Sequence, residues 1–167
     1  IAFKFYTMLK WNTTTDTQTA FIVDDTLDER YGKKVEATSL HWDHNKGVSI
    51  KAHQFLQLGL SYFGGFLPLI GHIFVGKKKC SKLSKEFNDK RSATAKSYHD
   101  AYDLDKHDLL AKILGKVISF GFHATYLLAD AWFGCKKNVK LALKYDLIAI
   151  FMMKRGINKY QYNGKLF

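Results

Sequence analysis

The 167 residues, 47% hydrophobic and 25% charged, amount to about one domain and exclude a disordered, collagenous or low-complexity chain. Lysine and arginine outnumber aspartate and glutamate by 26 to 15, a formal charge of +11 that points to a polyanionic partner, nucleic acid ahead of an anionic membrane. The two cysteines, Cys80 and Cys135, lack Cys-x-x-Cys spacing, which excludes a zinc knuckle or a disulfide framework and fits a reducing compartment.

In chain order, the opening IAFKFYTMLKW lacks the basic, apolar and small-residue succession of a signal peptide, and this N-terminus reads as cut from something longer. TAFIVDDT, residues 19–26, runs β-branched and aromatic residues into two aspartates and reads as a buried strand ending in acids. LDERYGKK turns at Gly32, VEATSLHWDH alternates loosely as a second strand, and Asn45-Lys46-Gly47 suits a hairpin turn. Residues 52–76 carry no charge, a run long enough to cross a bilayer. Gln54, Gln57, Ser61, Tyr62, the Gly64-Gly65 pair and Pro68 interrupt it, so two central strands over residues 48–63 and 66–75 are expected, with a membrane span at 55–75 as the alternative.

Residues 77–108 pass from a lysine-rich stretch to one bearing Asp100, Asp103, Asp105 and Asp108, and read as a solvated excursion. HDLLAKILGKVISFGF then places Leu109, Leu110, Ile113, Leu114, Val117 and Ile118 at helical spacing, ending near Gly121. ATYLLAD, residues 124–130, is a second short apolar run ending in an aspartate; a helix over residues 136–144, a strand at LIAIFMMK and half a hairpin at INKYQYNGKLF follow. No repeat or linker divides the chain, so residues 1–167 read as one α/β domain.

Two strands ending in carboxylates, FIVDD and YLLAD, bring Asp25 and Asp130 together if they are neighbours. Hard oxygen ligands grouped at strand ends on a basic protein suit two-metal phosphoryl transfer, although aspartate also follows strands as a turn residue or helix cap. Asp24 and Asp25 are adjacent, so a regular strand points them to opposite faces.

The segment FIVDDTLDERYGKKVEATSLHWDHNKGVSIKAHQFLQLGLSY resembles the first catalytic block of bacterial insertion-sequence transposases of the DDE type, in which an apolar strand ends in Asp-Asp-Thr. YLLADAWFGCKKNVKLALKYDLIAIFMMKRGINKY is similar to their second block, with the second catalytic aspartate at Asp130 before Trp132 and Phe133. The resemblance, over roughly residues 19–165, implies a ribonuclease H-like mixed sheet flanked by helices, magnesium or manganese as cofactor, and cutting and joining of transposon ends. It also implies DNA partners (transposon ends and target), no membrane, a homodimer as one arrangement of the intact enzyme, and the cytoplasm at the bacterial nucleoid. It places the first catalytic acid before the threonine, which assigns Asp25 and leaves Asp24 as the alternative ligand or a supporting group.

The family's third acid is a glutamate on a later helix, and this chain has no glutamate after Glu86; Asp146, before LIAIF, is in the wrong place for it. The sequence therefore reads as an interior or truncated piece, incomplete at its C-terminal end and catalytically incomplete as it stands, with a non-catalytic basic DNA-binding remnant as the alternative. Lys136, Lys137, Lys154 and Arg155 are candidate DNA phosphate contacts, position-setting and salt-sensitive rather than sequence-reading. In HWDH an extended strand puts His41 and Asp43 on one face and His44 on the other, against a metal site. His53 and His72 read as core or edge histidines, and Cys135, with no histidine or acid beside it in sequence, as a helix-start residue.

Overall fold

A computed structural model of the chain describes residues 18–32, 35, 37–62, 65–75, 91–152 and 161–166. Its strands are β1 (Ala20–Glu29), β2 (Ser39–Asp43), β3 (Val48–Tyr62), β4 (Gly65–Phe74), β5 (Tyr126–Ala129), β6 (Ile148–Phe151), β7 (Gln161–Tyr162) and β8 (Lys165–Leu166). The helices are α1 (Ala93–Asp103), α2 (Lys106–Ser119) and α3 (Lys136–Lys144). Six strands form one mixed sheet in the order β2-β3-β1-β5-β6, with β4 also on β3. Ala52 pairs with both Glu29 and Ser39, so β1 takes one edge of β3 while β2 and then β4 share the other.

The antiparallel strands β1 to β4, with β3 central, precede two parallel units, α2-β5 and α3-β6, and this arrangement is a ribonuclease H-like α/β fold, as the resemblance implies. Alternation along the strands explains how it holds together. Phe21, Val23, Leu56, Leu58, Leu60 and Leu127 are buried on one face of the sheet, packed with Leu109, Leu110, Ile113, Leu114 and Val117 of α2 and Ala142 of α3. Ile148 and Ile150 alternate with core-packed Ala149 and Phe151 and stand exposed on the other face.

Several expectations need correction. The first strand does not end at its acids: antiparallel pairing with β3 carries β1 on to Glu29. Residues 52–62 lie in β3 and residues 65–74 in β4, and among the described residues no helix is long and apolar enough to cross a membrane, which removes a helical span at 55–75. Pro68 is tolerated because β4 pairs only with β3 and the register slips at Leu58/Gly59. Residues 93–108 are not a solvated excursion: Ser92 caps α1 through its Oγ, which accepts from the Ala95 amide at 3.1 Å, and Ala101 and Tyr102 pack on Val75. The lysine-rich residues 77–90 lie outside the described residues. The tail is a complete small hairpin, β7 with β8, turned at Asn163-Gly164 with φ of 48° and 76°, as a type I′ turn requires.

Helix α2 begins at a built cap. The Asp105 carboxylate accepts from the Asp108 amide at 2.7 Å, and Lys137 of α3 reaches both Asp105 at 3.2 Å and Asp108 at 2.6 Å. Partial burial pushes the Asp105 carboxyl up, but the Asp108 amide and the Lys137 ammonium outweigh it and hold it below the usual carboxylate range. Asp108, then Asp105, raises the Lys137 pKa in turn. A carboxyl lowered in the folded state contributes stability above its unfolded pKa, and that contribution is lost as pH falls through the folded value. Asp105→Ala is therefore expected to cost about 1 kcal/mol in urea unfolding at pH 7. The gap from the unmutated protein should close as the pH is taken below about 4; a gap independent of pH would contradict the cap.

Candidate active site

Strand β1 has two neighbours of unequal reach. The parallel pairing with β5 runs from Ala20↔Tyr126 to Val23↔Ala129 and stops, whereas β3 stays paired through Glu29. One residue beyond the last parallel pair lie Asp24 on β1 and Asp130 on the chain leaving β5, and Asp25 follows one residue further. The edge of β1 opens there, at the carboxyl end of a parallel strand, where α/β folds place their chemistry.

Asp25 belongs to the helix-bearing face. It pairs across the sheet with core-facing Leu56, its Oδ2 accepts from Gln54 Nε2 at 3.0 Å, and the same oxygen takes an ion pair from Lys106 at the start of α2. Asp24 is exposed on the other face, and its Oδ1 accepts from the Asp25 amide at 2.8 Å. Asp130 is exposed and caps the turn after β5, its Oδ1 accepting from the amides of Trp132 at 2.9 Å and Phe133 at 3.4 Å.

Trp132 links the two acids. Its ring centroid lies 4.1 Å from Lys106 Nζ and stacks on His107 at 4.7 Å and 15°. The chain thus connects Asp25 through Lys106 to Trp132, whose own amide orients Asp130. Below the turn, Asn138 is fully buried and its Nδ2 donates to the Phe133 carbonyl at 2.8 Å. A side chain at Gly134 would meet the Met152 carbonyl at 2.5 Å, so the turn and the end of β6 approach as closely as backbones allow.

The other candidates separate. Lys136 is exposed, Lys137 is committed to Asp105 and Asp108, and Lys154 and Arg155 lie outside the described residues. His41 is buried and bonded to Ser39 Oγ at 2.8 Å, while Asp43 closes the β2–β3 turn by accepting from Asn45. Asp146, at φ 57° before β6, stands at the end of the parallel strands opposite Asp130, so it is no third acid for this site. Cys135 is the N-cap residue of α3 without a side-chain cap. Its Sγ lies 3.8 Å from His107 Nδ1, but Asn138 approaches the same nitrogen at 3.0 Å, which denies the thiol a dedicated base. Lys106, His107, Gln54 and Asn138 escaped the sequence reading; the only signal was a lysine opening an apolar helix.

As donors, Asp25 and Asp130 are the hard oxygens a divalent cation takes. Among the described residues Asp25 Oδ1 and Asp130 Oδ2 accept no hydrogen bond, so each keeps an oxygen for a ligand. It is this donor chemistry that fits a divalent ion; among the described residues no group of three or more metal-capable side chains occurs.

The fold is ribonuclease H-like, with Asp24, Asp25 and Asp130 close to the point where β5 leaves β1. The sequence model of the DDE superfamily endonuclease family matches residues 7–156, and the chain belongs to that family, a DDE-type transposase domain with nuclease-type function. Neither a curated protein nor a solved structure matches the chain.

The turn carrying Asp130 depends on contacts beneath it, which gives a stability test. Asn138→Ala removes a fully buried amide that donates to the Phe133 carbonyl, leaving that oxygen with the Cys135 amide alone, and is expected to cost about 1 kcal/mol. Gly134→Ala, opposed by a backbone oxygen rather than a yielding side chain, should cost about 1–3 kcal/mol. Urea unfolding measures both; an unchanged midpoint for either would contradict the packing described.

Proposed function

We propose that the chain is the catalytic domain of an insertion-sequence transposase that cuts DNA at transposon ends and joins the freed ends to a target. Water attacks a phosphodiester first, and the released 3′ hydroxyl then attacks a second one in line. The observation that supports this reading is that Asp24, Asp25 and Asp130 lie within two residues of the last pair, Val23↔Ala129, where β5 leaves β1.

Asp25 and Asp130 are the residues that would hold magnesium or manganese, with Asp24 supporting Asp25 from the other face. Bound there, the divalent cation supplies charge stabilisation to the oxygens of the displacement. Gln54 and Lys106 fix the rotamer of Asp25, and the Trp132 and Phe133 amides fix Asp130, so both carboxylates are held before substrate arrives. The ion pair of Asp25 with Lys106, whose ammonium also lies over the Trp132 ring, supports Asp25 rather than Asp24 as the ligand.

DNA is held chiefly through phosphates. The net charge of +11 and the exposed Lys136, Lys140 and Lys144 of α3 support this. Binding of a duplex of arbitrary sequence should weaken steeply between 50 and 200 mM salt, by about 0.9 log units per log unit of salt for each phosphate neutralised. A fluorescence-anisotropy series over salt and sequence measures it, and salt-insensitive or strongly sequence-selective binding would contradict it.

Two carboxylates alone fix the in-line geometry poorly, so the 167-residue chain is expected not to nick supercoiled plasmid with manganese. A longer chain that adds a helical glutamate downstream should nick, and Asp25→Asn or Asp130→Asn in it should lower the rate by at least about a hundredfold while folding is retained. Robust nicking by the 167-residue chain would overturn the claim of incompleteness. Full activity of Asp25→Asn would move the ligand to Asp24.

A further inference from the structure

Lys106 breaks three local rules at once. It is the first residue of α2, where the helix dipole disfavours a cation. Its side chain is only 8% exposed, although lysines ordinarily keep the ammonium in water. It also crosses from helix to sheet, 81 positions in sequence, to reach one carboxylate oxygen of Asp25. An amphipathic helix gains nothing from such a residue at its start. What compensates it is Asp25 together with two ring faces, Trp132 at 4.1 Å and Phe74 at 5.6 Å from Nζ.

Resting on the reading of Asp25 as a metal ligand, we propose that Lys106 is a built-in counter-cation that occupies Asp25 and competes with the divalent ion for it. Asp25 Oδ2 already accepts from both Lys106 and Gln54, so it has little capacity for a hard cation at about 2.0–2.6 Å, and a cation on the free Oδ1 would stand only a carboxylate's width from the ammonium. An ammonium and a divalent ion at one carboxylate also repel each other. Metal therefore enters as the ammonium leaves. The four-carbon stem allows that movement, and the face of Trp132, 37% exposed and already 4.1 Å from Nζ, retains the ammonium when Asp25 releases it. Metal affinity is then reduced by the fraction of molecules in which Lys106 has released Asp25. Until then the lysine keeps the carboxylate neutralised and in position. Lys106 is thus a positioning residue for the metal site.

The test is manganese binding by the 167-residue chain, read from the free Mn2+ signal in electron paramagnetic resonance. Lys106→Met, which keeps the stem and removes the charge, is expected to bind Mn2+ about tenfold or more tightly than the unmutated chain. Lys106→Arg should stay weak, and adding Asp25→Asn to Lys106→Met should remove the gain. A second measurement does not depend on the folding of Lys106→Met. In 13C-lysine-labelled unmutated chain, Mg2+ should move the Lys106 Cε resonance, identified by its absence in Lys106→Arg, and should leave it in place in Asp25→Asn. If Lys106→Met binds no tighter while Asp25→Asn still weakens binding, the competition is wrong and the metal reading survives. If Asp25→Asn leaves Mn2+ affinity unchanged, Asp25 is not the ligand and the proposal falls with it. A Cε resonance unmoved at saturating Mg2+ overturns the proposal on its own.

Discussion

The unequal length of the two strands bonded to β1 decides where the edge of that strand opens. β5 leaves after four paired residues, while β3 stays for ten. The parallel side of β1 is therefore open at Asp24 and Asp25, and the antiparallel side still holds their backbone straight. A carboxylate on a free strand end would sample many positions. Here β1 is fixed beyond its acids by pairing through Glu29↔Ala52, and the departing chain at Asp130 is fixed by its own turn and by Asn138 and Gly134 beneath it. Rigid backbone on both sides of an opening suits a reaction that depends on in-line placement.

Charge is organised around the same opening. Lys46, Lys106, Lys112 and Lys137 are each committed to carboxylates, at Glu29, Asp25, Asp100 and Asp105 with Asp108. These pairs join β1 to the β2–β3 turn, β1 to α2, α2 to α1 and α3 to α2, so they fasten neighbouring elements rather than project a field. Lys137 illustrates the cost of reading lysines as DNA contacts from sequence alone: its neighbour in the chain is exposed Lys136, but its neighbours in space are two aspartates. The positive field left for a polyanion comes from lysines without such pairs, among them those along the exposed side of α3.

The sequence shows a local pattern more readily than a distant contact. FIVDD and YLLAD were readable as strands because β-branched and aromatic residues alternate with the core face, and the apolar spacing from Leu109 to Val117 marked α2 because its buried stripe lies within one element. The end of β1 was not readable, since only the length of β3, a partner about thirty positions away, carries it past the acids. Residues 93–103 passed for a charged excursion because the side chains described as buried in α1 are short or aromatic ones, Ala95, Ala101 and Tyr102, set among polar residues. Resemblance marked Asp25 and Asp130 but gave no hint of Lys106, whose role exists only once α2 lies across the sheet. Gln54 and Asn138 were invisible for the same reason: an amide acquires meaning from what it faces.

The central claim is that Asp25 and Asp130 share one divalent cation. Crystals soaked in Mn2+ and measured near the manganese absorption edge test it most directly through anomalous scattering. The account predicts a peak bonded to both Asp25 and Asp130 at about 2.2 Å, with the Lys106 ammonium withdrawn from Asp25. A peak on Asp24 instead of Asp25, or well-ordered crystals with both carboxylates resolved and no peak between them at saturating Mn2+, would contradict it.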